Sequence, residues 1–297
     1  MIILDSVVPL FGVMLIGWIL RRMKIIGRGG VKTLSDYAYY VGFPILVFVS
    51  LYNVDLTVLL DHKLYLVNFI SIFLIAGVAH AVTRVLKFGE KLKAAFVVCA
   101  LFGNTAYMGL PLNRLALGED VMPLASVIAA IYIILTFTFG LFIFRHYSGV
   151  KTGTKLWVLR VPLIWGVILG ALFSCARLPL PFSSFFEMIA SSASPVALIS
   201  IGAFLHDTKL GGHFREVTIL SLFKLIFLPM AVLLISQVFN FGGLAFKSSL
   251  LQAAMPVAIA MFILARQFDV ESDFVANTIV ATTLSSIATL SVVLSFM

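Results

Sequence analysis

Apolar runs free of charge follow one another along the whole chain, separated by short polar connections. In the first half they are Ser6–Leu20, Tyr37–Val54, Leu64–Thr83, Ala94–Asn113 and Val121–Phe144. In the second half they are Val161–Ala176, Met188–Leu205, a stretch around Val217–Gln237 interrupted only by Lys224, Ser248–Ala265 and Phe274–Met297. A helix needs about 20 apolar residues to cross the hydrocarbon core of a bilayer, and these runs match that length. Their apolar character is continuous, without the alternation over about 10 residues that marks a membrane β-strand. In lipid a helix also closes its backbone hydrogen bonds within one segment. The pattern therefore predicts an all-α integral membrane protein of ten transmembrane helices.

Composition sharpens this reading. Of 297 residues 61% are hydrophobic and 11% charged, with mean hydropathy +1.11. A soluble protein averages about 25% charged residues and needs them to cover its surface. The formal net charge is +8, but the basic residues form no basic domain. Sixteen of the 21 Lys and Arg fall in the odd-numbered connections, including Arg21, Arg22, Lys24, Arg28 and Lys32 after the first span. Four (Lys63, Arg114, Arg177, Lys247) fall in the even ones, and Lys224 lies within a span. The positive-inside rule then places the odd connections in the cytoplasm and both termini outside. The charge is thus a topology signal and implies no nucleic acid. Met1–Asp5 lacks the basic leader of a signal peptide, so the first span reads as a retained helix. Cys99 and Cys175 both sit in apolar runs and read as packing residues.

The two halves resemble each other. Val8-Pro9-Leu10 with Gly17 opens the first span, and Val161-Pro162-Leu163 with Gly170 opens the sixth. Pro44 in span two leads to Asp55, and Pro195 in span seven leads to Asp207. Span four carries Gly103-Asn104-Thr105-Ala106-Tyr107-Met108-Gly109-Leu110-Pro111, and span nine Gln252-Ala253-Ala254-Met255-Pro256. Five spans per copy is an odd number, so the second copy is inverted. The expected organisation is a first five-helix repeat over 1–146, a cytoplasmic linker over 147–159 and an inverted repeat over 160–297.

Inverted repeats matter because many transporters bind substrate at discontinuous helices in corresponding positions of the two halves. Gly103, Gly109, Pro111 and Pro256 are the candidate helix-breaking residues. Proline lacks an N–H and clashes with the preceding turn, and glycine permits unusual backbone angles. Pro9, Pro162 and Pro229 read as ordinary kinks. Asn104, Thr105, Tyr107, Gln252, Met255 and Pro256 are the candidate substrate-binding residues. Among them the Asn and Gln amides both donate and accept, and backbone N–H groups freed beside Pro256 would suit an anion. The alternative is that these polar groups hydrogen-bond between helices and hold the bundle together. Lys224 has two readings: attraction of an anionic substrate or a protein carboxylate, or snorkelling to the cytoplasmic surface. Asp36 reads as a cap at the start of span two.

These motifs resemble the bacterial branch of the auxin efflux carrier family. Gly103-Asn104-Thr105 with Gly109-Leu110-Pro111, and Ala254-Met255-Pro256 leading to Leu264-Ala265-Arg266, carry the resemblance. Phe43-Pro44 and Ser194-Pro195 with Gly202 extend it, so it covers essentially the whole chain. It implies a ten-helix carrier related to the sodium–bile acid symporter fold, with spans four and nine unwound and crossing beside the substrate. It also implies a homodimer, and a carboxylate such as malate or malonate as substrate. Gly103 stands where plant carriers have Pro, and only Arg145–Arg160 joins the halves, which points away from auxin itself.

The reading is thus a permease that moves a small organic anion across the cytoplasmic membrane by alternating access, without a cofactor or metal. A sodium-coupled symporter of a bile-acid-like or other amphipathic anion is the alternative within transport. Few side-chain oxygens and no carboxylate lie in the crossover stretches, which favours sodium-independent transport. An intramembrane enzyme is disfavoured. The chain has no His-Glu-x-x-His pattern, and neither Ser191–Ser194 nor Ser285–Ser286 has an evident His partner. No charged ring marks a channel pore.

Overall fold

The computed structural model describes residues 2–52, 54, 56–148, 161–208 and 211–297. They are almost entirely helical, and the only extended pairing among them is an isolated bridge between Gly103 and Val257. In chain order, α1 (Ile2–Arg22) is followed by α2 (Arg28–Tyr37), a π turn (Ala38–Gly42) and α3 (Phe43–Tyr52). A short α4 (Leu56–Leu59) precedes α5 (His62–Val85) and α6 (Glu90–Leu101). A second π turn (Thr105–Gly109) leads into α7 (Leu110–Leu117), then α8 (Met122–Leu135), a third π turn (Thr136–Gly140) and α9 (Leu141–Ser148). The second half holds α10 (Pro162–Ala176), α11 (Ser183–Asp207), α12 (Phe214–Leu222), a π turn (Phe223–Phe227) and α13 (Leu228–Val238). It ends with α14 (Gly243–Ala253), α15 (Ala260–Gln267) and α16 (Ser272–Ser295). Of the resulting helical segments, six are long and apolar enough to cross a membrane: 29–52, 62–85, 119–147, 183–207, 214–238 and 272–295. The linker expected over 147–159 lies largely outside the described residues.

Three of the π turns end two residues before a proline, at Pro44, Pro111 and Pro229. A proline ring clashes with the carbonyl four residues back, and the wider π turn opens the ladder at that point. The chain therefore continues as helix through these prolines. Asp36 is not a cap. It lies near the end of α2 and pairs with Lys32 one turn earlier.

The chain divides into two compact units. One comprises 1–61, 106–130 and 156–207; the other comprises 62–105, 131–155 and 208–297. In the first unit α1 packs on α11 and α3 on α10. Glycines let these backbones close up. A Cβ at Gly202 would stand 1.8 Å from the Met14 carbonyl oxygen, and one at Gly17 2.1 Å from that of Ile199. On the other pair, a Cβ at Gly166 would stand 2.4 Å from the Pro44 carbonyl oxygen. Small residues serve helix contacts in lipid because packing, rather than the hydrophobic effect, holds the helices together. Large apolar side chains such as Leu15, Leu172, Leu234 and Leu284 point outward from the middle of helices. Water would penalise such a surface, and acyl chains accommodate it.

The glycine contacts give a paired prediction. Gly202→Ala should destabilise by about 3 kcal/mol or more, the upper end of overpacking costs. Gly12→Ala on α1 meets nothing within 4 Å and should stabilise by up to about 1 kcal/mol through helix propensity. Unfolding midpoints in detergent measure both. Equal midpoints for the two variants would contradict the close packing of α1 on α11.

In the second unit α6 packs against α5, α9, α12, α15 and α16, and α5 against α13 and α14. Buried hydroxyls line α16. Thr278 donates to the Phe274 carbonyl (2.8 Å) and Thr282 to that of Thr278 (2.7 Å), each one turn back. Back-bonding of this kind satisfies a buried donor within its own helix.

Candidate functional site

Two helices break in the second unit, and the breaks are bonded to each other. The first follows α6: Phe102, Gly103 and Asn104 leave the helical ladder before the π turn begins at Thr105. The second runs from Ala254 to Ile259, between α14 and α15. Gly103 and Val257 face each other as an antiparallel bridge. The Asn104 N–H donates to the Pro256 carbonyl at 2.7 Å, and the Ala258 N–H to the Phe102 carbonyl at 3.3 Å.

The backbone groups freed by Pro256 can be traced one by one, as burial requires. Pro256 has no N–H for the Gln252 carbonyl, which takes the Met255 N–H instead at 3.4 Å. The Ala253 carbonyl would ordinarily accept from Val257, but the Val257 N–H goes to the Thr282 hydroxyl oxygen at 3.2 Å. Lys224 fills the vacancy, its Nζ donating to the Ala253 carbonyl at 2.7 Å. The expectation that N–H groups just past Pro256 stand open to a ligand thus fails at Val257 and Ala258, because a hydroxyl and the other break engage them.

Lys224 is 0% exposed, so its ammonium does not snorkel to the surface. It extends from the π turn Phe223–Phe227 toward Gly103, where an added Cβ would stand 3.0 Å from Nζ. Asn104 is 4% and Thr105 3% exposed, and neither side chain makes a hydrogen bond to a described residue. Buried polar side chains are nearly always partnered. These two adjacent polar side chains, without a partner among the described residues, follow directly on Gly103 and its neighbour Lys224 Nζ. Gln252 and Met255 are fully buried at the end of α14 and in the break itself.

Tyr107 belongs to the first unit, where its ring stacks on Phe43 with centroids 3.9 Å apart and planes 5° from parallel. Gly109 and Pro111, expected as helix breakers, lie past the break where the chain is helical again. Pro111 is the second residue of α7, and the Gly109 carbonyl accepts from the Asn113 amide at 2.8 Å. The break forms at Gly103 because its carbonyls and N–H groups find partners on the second break; the π turn absorbs Pro111 without one. Sequence reasoning missed Thr282 as the partner of the second break. Its signal was the buried spacing Thr278, Thr282, Ser286, which puts three hydroxyls on one face of α16.

Comparison with known proteins decides the class. The model of a family described as "Membrane transport protein" matches residues 2–152 and 150–294, nearly the full length. The chain belongs to this family, the auxin efflux carrier-like membrane transporters. Across 290 residues it is 27% identical to a protein of Methanothermobacter thermautotrophicus named "Uncharacterized transporter", covering 96% of this chain and 95% of that one. It is 24% identical over 299 residues to a Rhizobium meliloti protein named "Putative malonate transporter", covering 96% and 92%. An uncharacterized transporter of Escherichia coli K12 is 22% identical over 281 residues, covering 90% and 88%. The family and these relatives are membrane transporters and not enzymes. The chain is thus a multi-pass membrane transporter.

Proposed function

We propose that this transporter is a secondary carrier of a small organic anion, a carboxylate of about malonate's size, bound where the two breaks meet. The observation that carries the reading is the pair of buried polar side chains Asn104 and Thr105, neither hydrogen-bonded to a described residue, which follow Gly103 and its neighbour Lys224 at bonded helix breaks. An anion there gains hydrogen bonds and a counter-charge in a site of low dielectric. The name of the Rhizobium meliloti relative agrees with a dicarboxylate substrate.

The same reading takes the chain as ten transmembrane helices in two inverted repeats, 1–146 and 160–297, with crossover helices four and nine. Two features support it. Exchanging the halves maps the α1–α11 pair, spans one and seven, onto the α10–α3 pair, spans six and two. It also maps the first break onto the second, which it meets in an antiparallel bridge. Both termini then lie outside the cytoplasmic membrane, and the segment around Thr152, outside the described residues, faces the cytoplasm. A cysteine placed there should resist an impermeant thiol reagent in intact cells; labelling comparable to a cysteine near Lys247 would reverse the topology.

Ligands that bind the folded state raise apparent stability by mass action. A thermal-shift screen of the purified protein against mono- and dicarboxylates should therefore single out small carboxylates over neutral analogues of the same size. A shift with amines or sugars and none with carboxylates would refute the anion reading.

A further inference from the structure

The Ala253 carbonyl closes α14, the negative end of the helix dipole, and has lost its helical partner. Three other facts converge on this point. The Lys224 ammonium reaches the carbonyl at 2.7 Å and is completely buried. Gly103 makes the room: a Cβ there would stand 3.0 Å from Nζ, 3.1 Å from Lys224 Cε and 3.1 Å from the Met255 carbonyl oxygen. Among the described residues no carboxylate lies within 4.0 Å of Nζ. A buried charge without a counter-ion is costly, and among the described residues the Ala253 carbonyl oxygen is what offsets it. Backbone carbonyls gathered where a helix unwinds are also the ligands by which membrane proteins hold free monovalent cations.

We propose that Lys224 is the resident cation of the paired breaks, a tethered ammonium standing where a carrier of other design would bind a free metal ion. It holds the end of α14 and fixes a positive charge beside Gly103, so no sodium is needed at this place. The claim concerns the protein without substrate. Its outcome is therefore separate from that of the anion reading, which the carboxylate screen decides.

Three thermal-unfolding series on the purified full-length protein test it. The parent should unfold at the same temperature in sodium, potassium and choline chloride of equal ionic strength. Lys224→Met keeps the volume but leaves the Ala253 carbonyl unpartnered, and its midpoint should fall by on the order of 5 °C. Lys224→Ala should fall as far or further. Propylammonium, which matches the missing side chain, should restore much of the loss; tetramethylammonium at the same concentration should not. A purely packing role for the side chain would let Lys224→Met unfold like the parent, and that result overturns the proposal. So does specific stabilisation of the parent by sodium, or equal effects of the two amines on Lys224→Ala. If Lys224→Ala yields no folded protein, the methionine variant and the parent salt series still decide.

Discussion

Pro256→Ala abolishes transport while the protein stays folded. The alanine N–H can donate to the Gln252 carbonyl four residues back, which accepts from the Met255 N–H at 3.4 Å in the parent. α14 then gains a turn, and Pro256's own carbonyl rotates into the helix, away from the Asn104 N–H that it holds at 2.7 Å. The Gly103–Val257 bridge and the Val257–Thr282 bond go with it. The loss of these bonds is offset by regained helical ones, so global stability should change by no more than about 1 kcal/mol. Transport, which depends on the open geometry, should disappear. The check is uptake into proteoliposomes beside an unfolding curve on the same preparation. Full transport by Pro256→Ala would show that the second break is a packing feature.

Asn104→Ala weakens substrate binding by about 1–3 kcal/mol, the usual cost of leaving a buried hydrogen-bonding group unmatched. That corresponds to roughly 5- to 150-fold in Kd. The side chain makes no bond to a described residue, so its removal should leave the unfolding midpoint nearly unchanged. This combination separates a binding role from a structural one, because an interhelical hydrogen bond would move stability first. Lys32→Ala, whose side chain is 78% exposed, serves as the control and should leave Kd unaltered. Titration calorimetry with the carboxylate from the thermal screen measures both variants. Parent-like affinity in Asn104→Ala would place the site elsewhere.

The helices were legible because each is written in a contiguous stretch of apolar residues. Where the edges differ, charge is the reason. The apolar run of span two starts at Tyr37, yet the helix begins at Arg28, its first turns carrying the exposed Lys32–Asp36 pair. Gly103 and Pro256 stand in the two stretches that leave the helical ladder. Gly109 and Pro111 misled, since composition alone does not distinguish a proline absorbed by a π turn from one that unwinds a helix. The partners were beyond sequence reasoning. Lys224 meets a carbonyl 29 residues away, and Val257 a hydroxyl 25 residues away. Such pairings arise from how the Phe223–Phe227 turn, α14 and α16 pack, and no local pattern encodes them. The division into two units likewise follows from contacts between segments far apart in the chain, which no local pattern shows.

On the function proposed above, a small carboxylate is carried across the membrane at the paired breaks. Counterflow tests it most directly, because it requires a binding site that faces each side in turn. Proteoliposomes loaded with unlabelled malonate are diluted into a trace of labelled malonate, with no ion gradient. Transient uptake of label above equilibrium is expected, saturating with external malonate and absent in Pro256→Ala. Flux that rises linearly with concentration and never overshoots, for malonate and for every carboxylate that shifts the unfolding midpoint, would contradict it.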